Sequence, residues 1–70
     1  MEQAITILVN GEPREVEPSA SLLDLLERLD LDPRMVVVEH NRQIVRRPGL
    51  AHTTLSAGDR VELVHFVGGG

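Results

Sequence analysis

Cysteine, lysine, tryptophan and tyrosine are all missing from this chain, and a single phenylalanine is its only aromatic residue. Without cysteine there is no disulfide, no thiolate nucleophile and no cysteine-based zinc site. With so few aromatic rings there is no stacking platform for nucleic-acid bases. A net charge of −4 and an isoelectric point near 5.2 weigh further against binding a phosphate backbone. No apolar run approaches the ~20 residues needed to cross a bilayer. The first residues, Met1-Glu-Gln-Ala4, do not begin a basic-then-apolar leader. The expectation is a cytoplasmic protein without a membrane segment. All seven basic residues are arginines. Base composition or heat adaptation accounts for that bias, and it also leaves no side-chain amine open to acylation.

What remains is ordinary globular material, 41% apolar, enough for one domain. A domain of this size buries only roughly 60% of the surface its unfolded chain exposes, so its core is marginal. Ile5, Ile7 and Val9 alternate with Thr6 and Leu8, the period of a half-buried strand. Asn10-Gly11 then marks a tight hairpin, because both positions accept positive φ. Arg14-Glu-Val-Glu17, opened by Pro13, is the expected return strand at a sheet edge. Ser21 and Asp24 have the spacing of a capping box. Leu22, Leu25, Leu26 and Leu29 follow at helical spacing, predicting one apolar stripe on a helix over about 22–30. Leu23 falls outside that stripe.

Met35-Val-Val-Val-Glu39 is β-branched and predicts a third strand. A turn at 40–43 leads to a short strand at Ile44-Val45. Residues 46–51 are expected as loop, and Thr53-Thr-Leu55 as irregular chain or a single turn. After a turn at Ala57-Gly58-Asp59, the last strand should run from about Arg60 to Val67. The order β, β, α, β, short β, β predicts an α+β domain with one helix packed on a mixed sheet of four to five strands, the β-grasp arrangement. The first and last strands, both rich in Val, Ile and Leu, should pair in parallel at the sheet centre.

Directly after that strand stand Gly68, Gly69 and Gly70. Three residues without side chains form a thin, flexible thread that enters a narrow slot. Extended, they span about 10 Å. The expected division is therefore a domain at 1–67 and a tail at 68–70, with the Gly70 α-carboxylate as the reactive group. A C-terminal carboxylate has a pKa near ~3.5 and is a poor electrophile when ionised. It needs activation, and the chain carries no nucleotide-binding loop of its own.

These pieces together resemble the ubiquitin-like sulfur carriers of the ThiS family. The resemblance rests on Ile7-Leu-Val-Asn-Gly-Glu12, Ser21-Leu-Leu-Asp-Leu-Leu-Glu-Arg-Leu29, Val36-Val-Val-Glu-His-Asn41, Gly58-Asp-Arg-Val-Glu-Leu63 and Val64-His-Phe-Val-Gly-Gly-Gly70. It implies a ThiF-type E1-like partner that adenylates Gly70 with ATP and Mg²⁺. A sulfur donor such as a cysteine desulfurase then supports conversion to a thiocarboxylate. A ThiG-type thiazole synthase takes that sulfur to build the thiazole of thiamine. The resemblance makes the chain a cosubstrate and not an enzyme, with no bound cofactor. Carriers for molybdopterin, tRNA thiolation or cysteine synthesis share the same tail chemistry. A β-grasp interaction module with an inert tail is the alternative of another class.

A docking patch is expected beside the tail. If Val61 and Leu63 face the helix, Val64 and Phe66 face away, and Leu8 shares their outward parity. Exposed apolar residues next to a functional tail suit a partner better than an isolated monomer. Leu8, Val64, Phe66 and Val67 are therefore the candidate partner-binding residues. His40, His52 and His65, spaced twelve and thirteen apart, match no compact metal motif. Arg42, Arg46 and Arg47 form a basic cluster, read as a solvated face or a contact for an acidic partner surface.

Overall fold

The hairpin opens the fold as the sequence demands. The computed structural model describes residues 3–66. Strand β1 (Ile5–Val9) turns through Asn10 (φ 50°) and Gly11 (φ 83°) into β2 (Glu12–Val16). Positive φ at both turn residues matches the right-handed twist of the flanking strands. Pairing resumes immediately, with Val9 opposite Glu12 and Leu8 opposite Pro13. Strand β2 therefore starts two residues earlier than the expected Arg14. Pro13 is tolerated because ladder bonds alternate in an antiparallel pair. Its nitrogen points away from β1, on a strand with no outer neighbour.

Helix α1 (Leu22–Arg28) crosses the sheet. Its capping box is complete: Asp24 N–H donates to Ser21 Oγ at 3.1 Å, and Ser21 N–H donates to Asp24 Oδ2 at 2.9 Å. Leu22, Leu25 and Leu26 are buried, Leu29 is half-buried, and Leu23 sits partly exposed beside them. The helix closes at Arg28, short of residue 30, because Asp30 adopts φ 59°. Leu31 N–H then returns to the Leu26 carbonyl and Asp30 N–H to that of Glu27, a Schellman closure. Ser21→Ala is expected to cost about 1 kcal/mol. In a domain this small that lowers the thermal midpoint by about 4–8 °C, measurable by circular dichroism.

A 3₁₀ turn at Pro33–Met35 precedes β3 (Val36–His40). The turn captures Met35, expected in the strand, because Asp32 Oδ1 accepts from Arg34 N–H at 2.9 Å and caps it. Asn41 and Arg42, both at positive φ, turn β3 into β4 (Gln43–Val45). The segment expected as loop contains a helical turn, α2 (Arg47–Leu50). It forms because Leu50 is buried in the core and Gly49 permits close approach to Val45. A Cβ at Gly49 would meet Val45 Cγ1 at 3.3 Å. The last strand, β5 (Arg60–His65), ends before Phe66.

The sheet order is β2-β1-β5-β3-β4, with β1 and β5 parallel and every other neighbour pair antiparallel. This is the expected α+β architecture with its parallel central pair. Ile7, Leu22, Leu26 and Val61 are fully enclosed between helix and sheet. Among the described residues no helix is long and apolar enough to cross a membrane.

Candidate functional site

Strand β5 runs from the sheet centre toward the glycine run, so its outer end is the natural place to look for a site. Val61 is buried against the helix side and Leu63 is half-buried there. The alternate residues face away: Val64 is 59% and Phe66 49% exposed. Val64 lies opposite Val37 of β3. Phe66 leaves the strand but still donates its N–H to the Met35 carbonyl at 2.7 Å. The sheet thus carries an apolar strip of Val37, Val64 and Phe66 at the end from which residues 67–70 continue.

Leu8 does not join that strip. It shares the outward face, but the parallel register sets it opposite Arg60. That is four residues short of Val64, or roughly 13 Å along the strand. The expected closeness of Leu8 to Val64 is corrected by that register, because β1 turns away at Asn10 before reaching the level of Val64. Val37 takes its place, and the sequence contained the signal: Val37 has the opposite parity to Val36 and Val38. Val67, Gly68, Gly69 and Gly70 lie outside the described residues.

Where β1 turns away, Asn10 substitutes for it. Its Oδ1 accepts from Leu63 N–H at 2.7 Å and its Nδ2 donates to the Leu63 carbonyl at 3.3 Å. This side chain holds the outer half of β5 in line after its parallel neighbour has ended.

The inner end of β5 is anchored separately. Asp59 is 9% exposed. Its Oδ2 accepts from Ser56 N–H at 2.9 Å and lies 2.7 Å from His40 Nε2. Its Oδ1 accepts from Asn41 Nδ2 at 3.2 Å. Asn41 Oδ1 in turn accepts from Arg60 N–H at 2.9 Å. Burial alone would push the Asp59 carboxyl up, but the bonds from His40, Ser56 and Asn41 together hold it below its ordinary value. The cluster ties the β3–β4 turn to the start of β5. The Asn41 side chain thus reaches out of its own turn to Asp59 and Arg60. His40 and Asn41 therefore serve the frame, at the end of the sheet away from the strip.

A five-stranded mixed sheet with a parallel central pair and one capped helix defines a ubiquitin-like β-grasp domain. The model of the ThiS family matches residues 7–70. The sulfur carrier protein ThiS of Bacillus subtilis is 36% identical over 52 residues, covering 74% of this chain and 79% of that protein. The crystal structure of the thiamine biosynthesis protein ThiS from Geobacter metallireducens superposes with a TM-score of 0.80 at 35% identity, covering 94% of this chain and 100% of that one. The chain belongs to the ThiS family. It is also 39% identical over 64 residues to a thiazole synthase of Paramagnetospirillum magneticum, covering 91% of this chain. It spans only 20% of that longer protein, and the same share of a second thiazole synthase, from Magnetococcus marinus.

Proposed function

We propose that the chain is a cytoplasmic sulfur carrier of thiamine biosynthesis, with the terminal carboxylate of Gly70 as the carrying group. The observation that carries this reading is the extent of the family match, which takes in Gly68, Gly69 and Gly70 as well as the folded head. In the proposed chemistry the Gly70 carboxylate attacks the α-phosphorus of ATP on an activating enzyme that uses Mg²⁺. Pyrophosphate leaves and an acyl-adenylate forms. A sulfide equivalent delivered by a donor protein adds to the acyl carbon and AMP leaves, giving a thiocarboxylate. A thiazole synthase then accepts the sulfur. Support for that last partner comes from the two thiazole synthases in which a stretch similar to this chain is part of the same polypeptide.

In this reading the head is a handle and the strip on β5 is where partners grip it. Phe66→Ala is expected to raise the KM of the activating enzyme for the carrier by about tenfold or more, since a half-exposed aromatic beside the tail is a natural anchor. Folding stability should change by less than about 1 kcal/mol, as for other exposed positions. Steady-state pyrophosphate release and thermal melts measure the two; an unchanged KM with a collapsed melting point would place Phe66 in the core.

The pathway is tested by complementation. Expression of the chain should restore growth without thiazole in a bacterium lacking its own thiamine sulfur carrier. It should not restore molybdenum-cofactor activity in a strain lacking that carrier. Rescue of the second strain alone would assign the chain to molybdopterin synthesis. Rescue of neither would point to tRNA thiolation or cysteine synthesis if Gly70 still takes up sulfur, and to an interaction module if it does not.

A further inference from the structure

The two edges of the sheet are built differently. Strand β2 is guarded: Glu12, Pro13, Arg14 and Glu15 fill most of it, and charges and proline deter further pairing. Strand β4 at the other edge is Gln43-Ile44-Val45, with neither charge nor proline. Ile44 is 65% exposed, the most exposed of the large hydrophobic residues described.

The ladder also leaves bonding groups free at this edge. The two-residue turn makes His40 and Gln43 a hydrogen-bonded pair, and Val38 and Val45 the next. By that alternation the N–H and C=O of Ile44 point outward from the sheet. Those of Val36 point to the same side of β3, past the end of β4, where the chain has left the sheet. There a groove opens between the start of β3 and α2. Val36, Val38, Val45 and Leu50 line it, with Arg46 and Arg47 at its mouth.

The charge there has a sign. Arg42, Arg46 and Arg47 stand within six residues of one another in a chain of net charge −4. Asp32 is already engaged by Arg34, at 2.9 Å from Nη2. Among the described residues Asp32 pairs with Arg34 and Asp59 contacts the His40 ring, and neither contact uses an arginine of this cluster. Apolar lining, open backbone groups and guanidinium groups outside the ion pairs of the described residues coincide at one edge.

We infer that this edge binds an extended segment of a partner protein, in which aliphatic residues are followed by carboxylates. The segment adds a short strand beside Ile44 or Val36 and seats an aliphatic side chain in the groove. Its acidic residues meet Arg46 and Arg47, which present bidentate donors. The inference rests on the sheet edge and does not depend on the sulfur chemistry.

The test is an amide NMR titration of the full chain with an acetylated Val-Ile-Val-Asp-Asp-Glu-Glu peptide, and with the same peptide bearing lysines in place of the acids. Shifts are expected at residues 36–38 and 43–50, with the acidic peptide binding roughly tenfold or more tighter, as charge complementarity requires. The double variant Arg46→Glu, Arg47→Glu should reverse that preference while keeping a folded spectrum, since both residues are exposed. Equal binding of the two peptides, shifts centred elsewhere, or no shifts at millimolar peptide would overturn the inference. So would shifts at Ile44 that depend on protein concentration alone, which would make a second copy the occupant.

Discussion

Blocking the Gly70 carboxylate as an amide is expected to abolish sulfur loading and to leave the melting temperature unchanged. The amide removes the oxygen nucleophile that attacks ATP, so no acyl-adenylate forms. Deleting Gly70 tests a different requirement, because the shortened chain still carries a carboxylate, now on Gly69. That group falls short by one residue, roughly 3.5 Å. A misplacement of 1 Å at a reacting centre can cost about 10² in rate, so the deletion should cost well over that factor. The two variants separate chemistry from reach: the amide removes the group, and the deletion displaces it. Neither touches the core assembled from Ile7, Leu22, Leu26 and Val61, so both should melt like the parent. Intact-protein mass after activation, with a thermal melt on the same sample, reads both quantities.

The second large effect is at Asp59. Asp59→Ala removes one carboxylate that receives Ser56 N–H, Asn41 Nδ2 and His40 Nε2. Each donor left buried without a partner costs about 1–3 kcal/mol, and breaking a fully buried pair costs about 3–5 kcal/mol. The side chains of His40 and Asp59 keep 19% and 12% exposure, so water offsets part of that loss. A net cost of about 2–3 kcal/mol follows from the per-donor figure. Against a total stability near the low end of about 5–15 kcal/mol, that is a loss of close to half. Asp59→Asn keeps an acceptor and should lose less. The acid limb of the stability curve gives the sign. The folded carboxyl titrates below its ordinary value, so its contribution is full above an unfolded pKa of ~3.9 and is lost as pH falls through the folded value. Urea midpoints from neutral pH down to about 2.5 should show that loss in the parent and not in Asp59→Asn.

The elements that sequence reasoning located are those whose signals are local. Asn10-Gly11 has one favourable turn geometry, Ser21 and Asp24 cap each other across three residues, and the leucine spacing allows one buried face. The parallel pairing of β1 with β5 followed from the Val, Ile and Leu richness of both segments, which suits the sheet centre, although each strand buries only its helix-side face there. What escaped the sequence depends on contacts between distant positions. The helical turn at Arg47–Leu50 is held by Leu50 in the core and by Gly49 against Val45, which nothing in Arg46-Arg47-Pro48-Gly49 announces. The Asn10–Leu63 bonds join residues 53 apart, and the Asp59 cluster joins two turns 18 and 19 residues apart.

The strip beside the tail was half legible for the same reason. Parity alone put Val64 and Phe66 on the outward face, and both are exposed there. Parity says nothing about how far along a neighbouring strand a residue stands. Hence parity groups Leu8 with them although the register separates it, and does not reveal that Val37 lies directly opposite Val64. The exposure of Ile44 is not legible in the sequence because a two-residue strand signal does not say which way its side chain points.

In the proposed chemistry the carboxyl carbon of Gly70 receives a sulfur atom. Incubation with a ThiF-type activating enzyme, ATP, Mg²⁺ and a sulfide source, followed by intact-protein mass spectrometry and sequencing of the C-terminal peptide, tests it most directly. The expected result is a mass gain equal to one oxygen replaced by sulfur, located on Gly70 and dependent on ATP. An unchanged mass in the presence of an activating enzyme proven on another ThiS-family carrier, or sulfur found anywhere but Gly70, would contradict it.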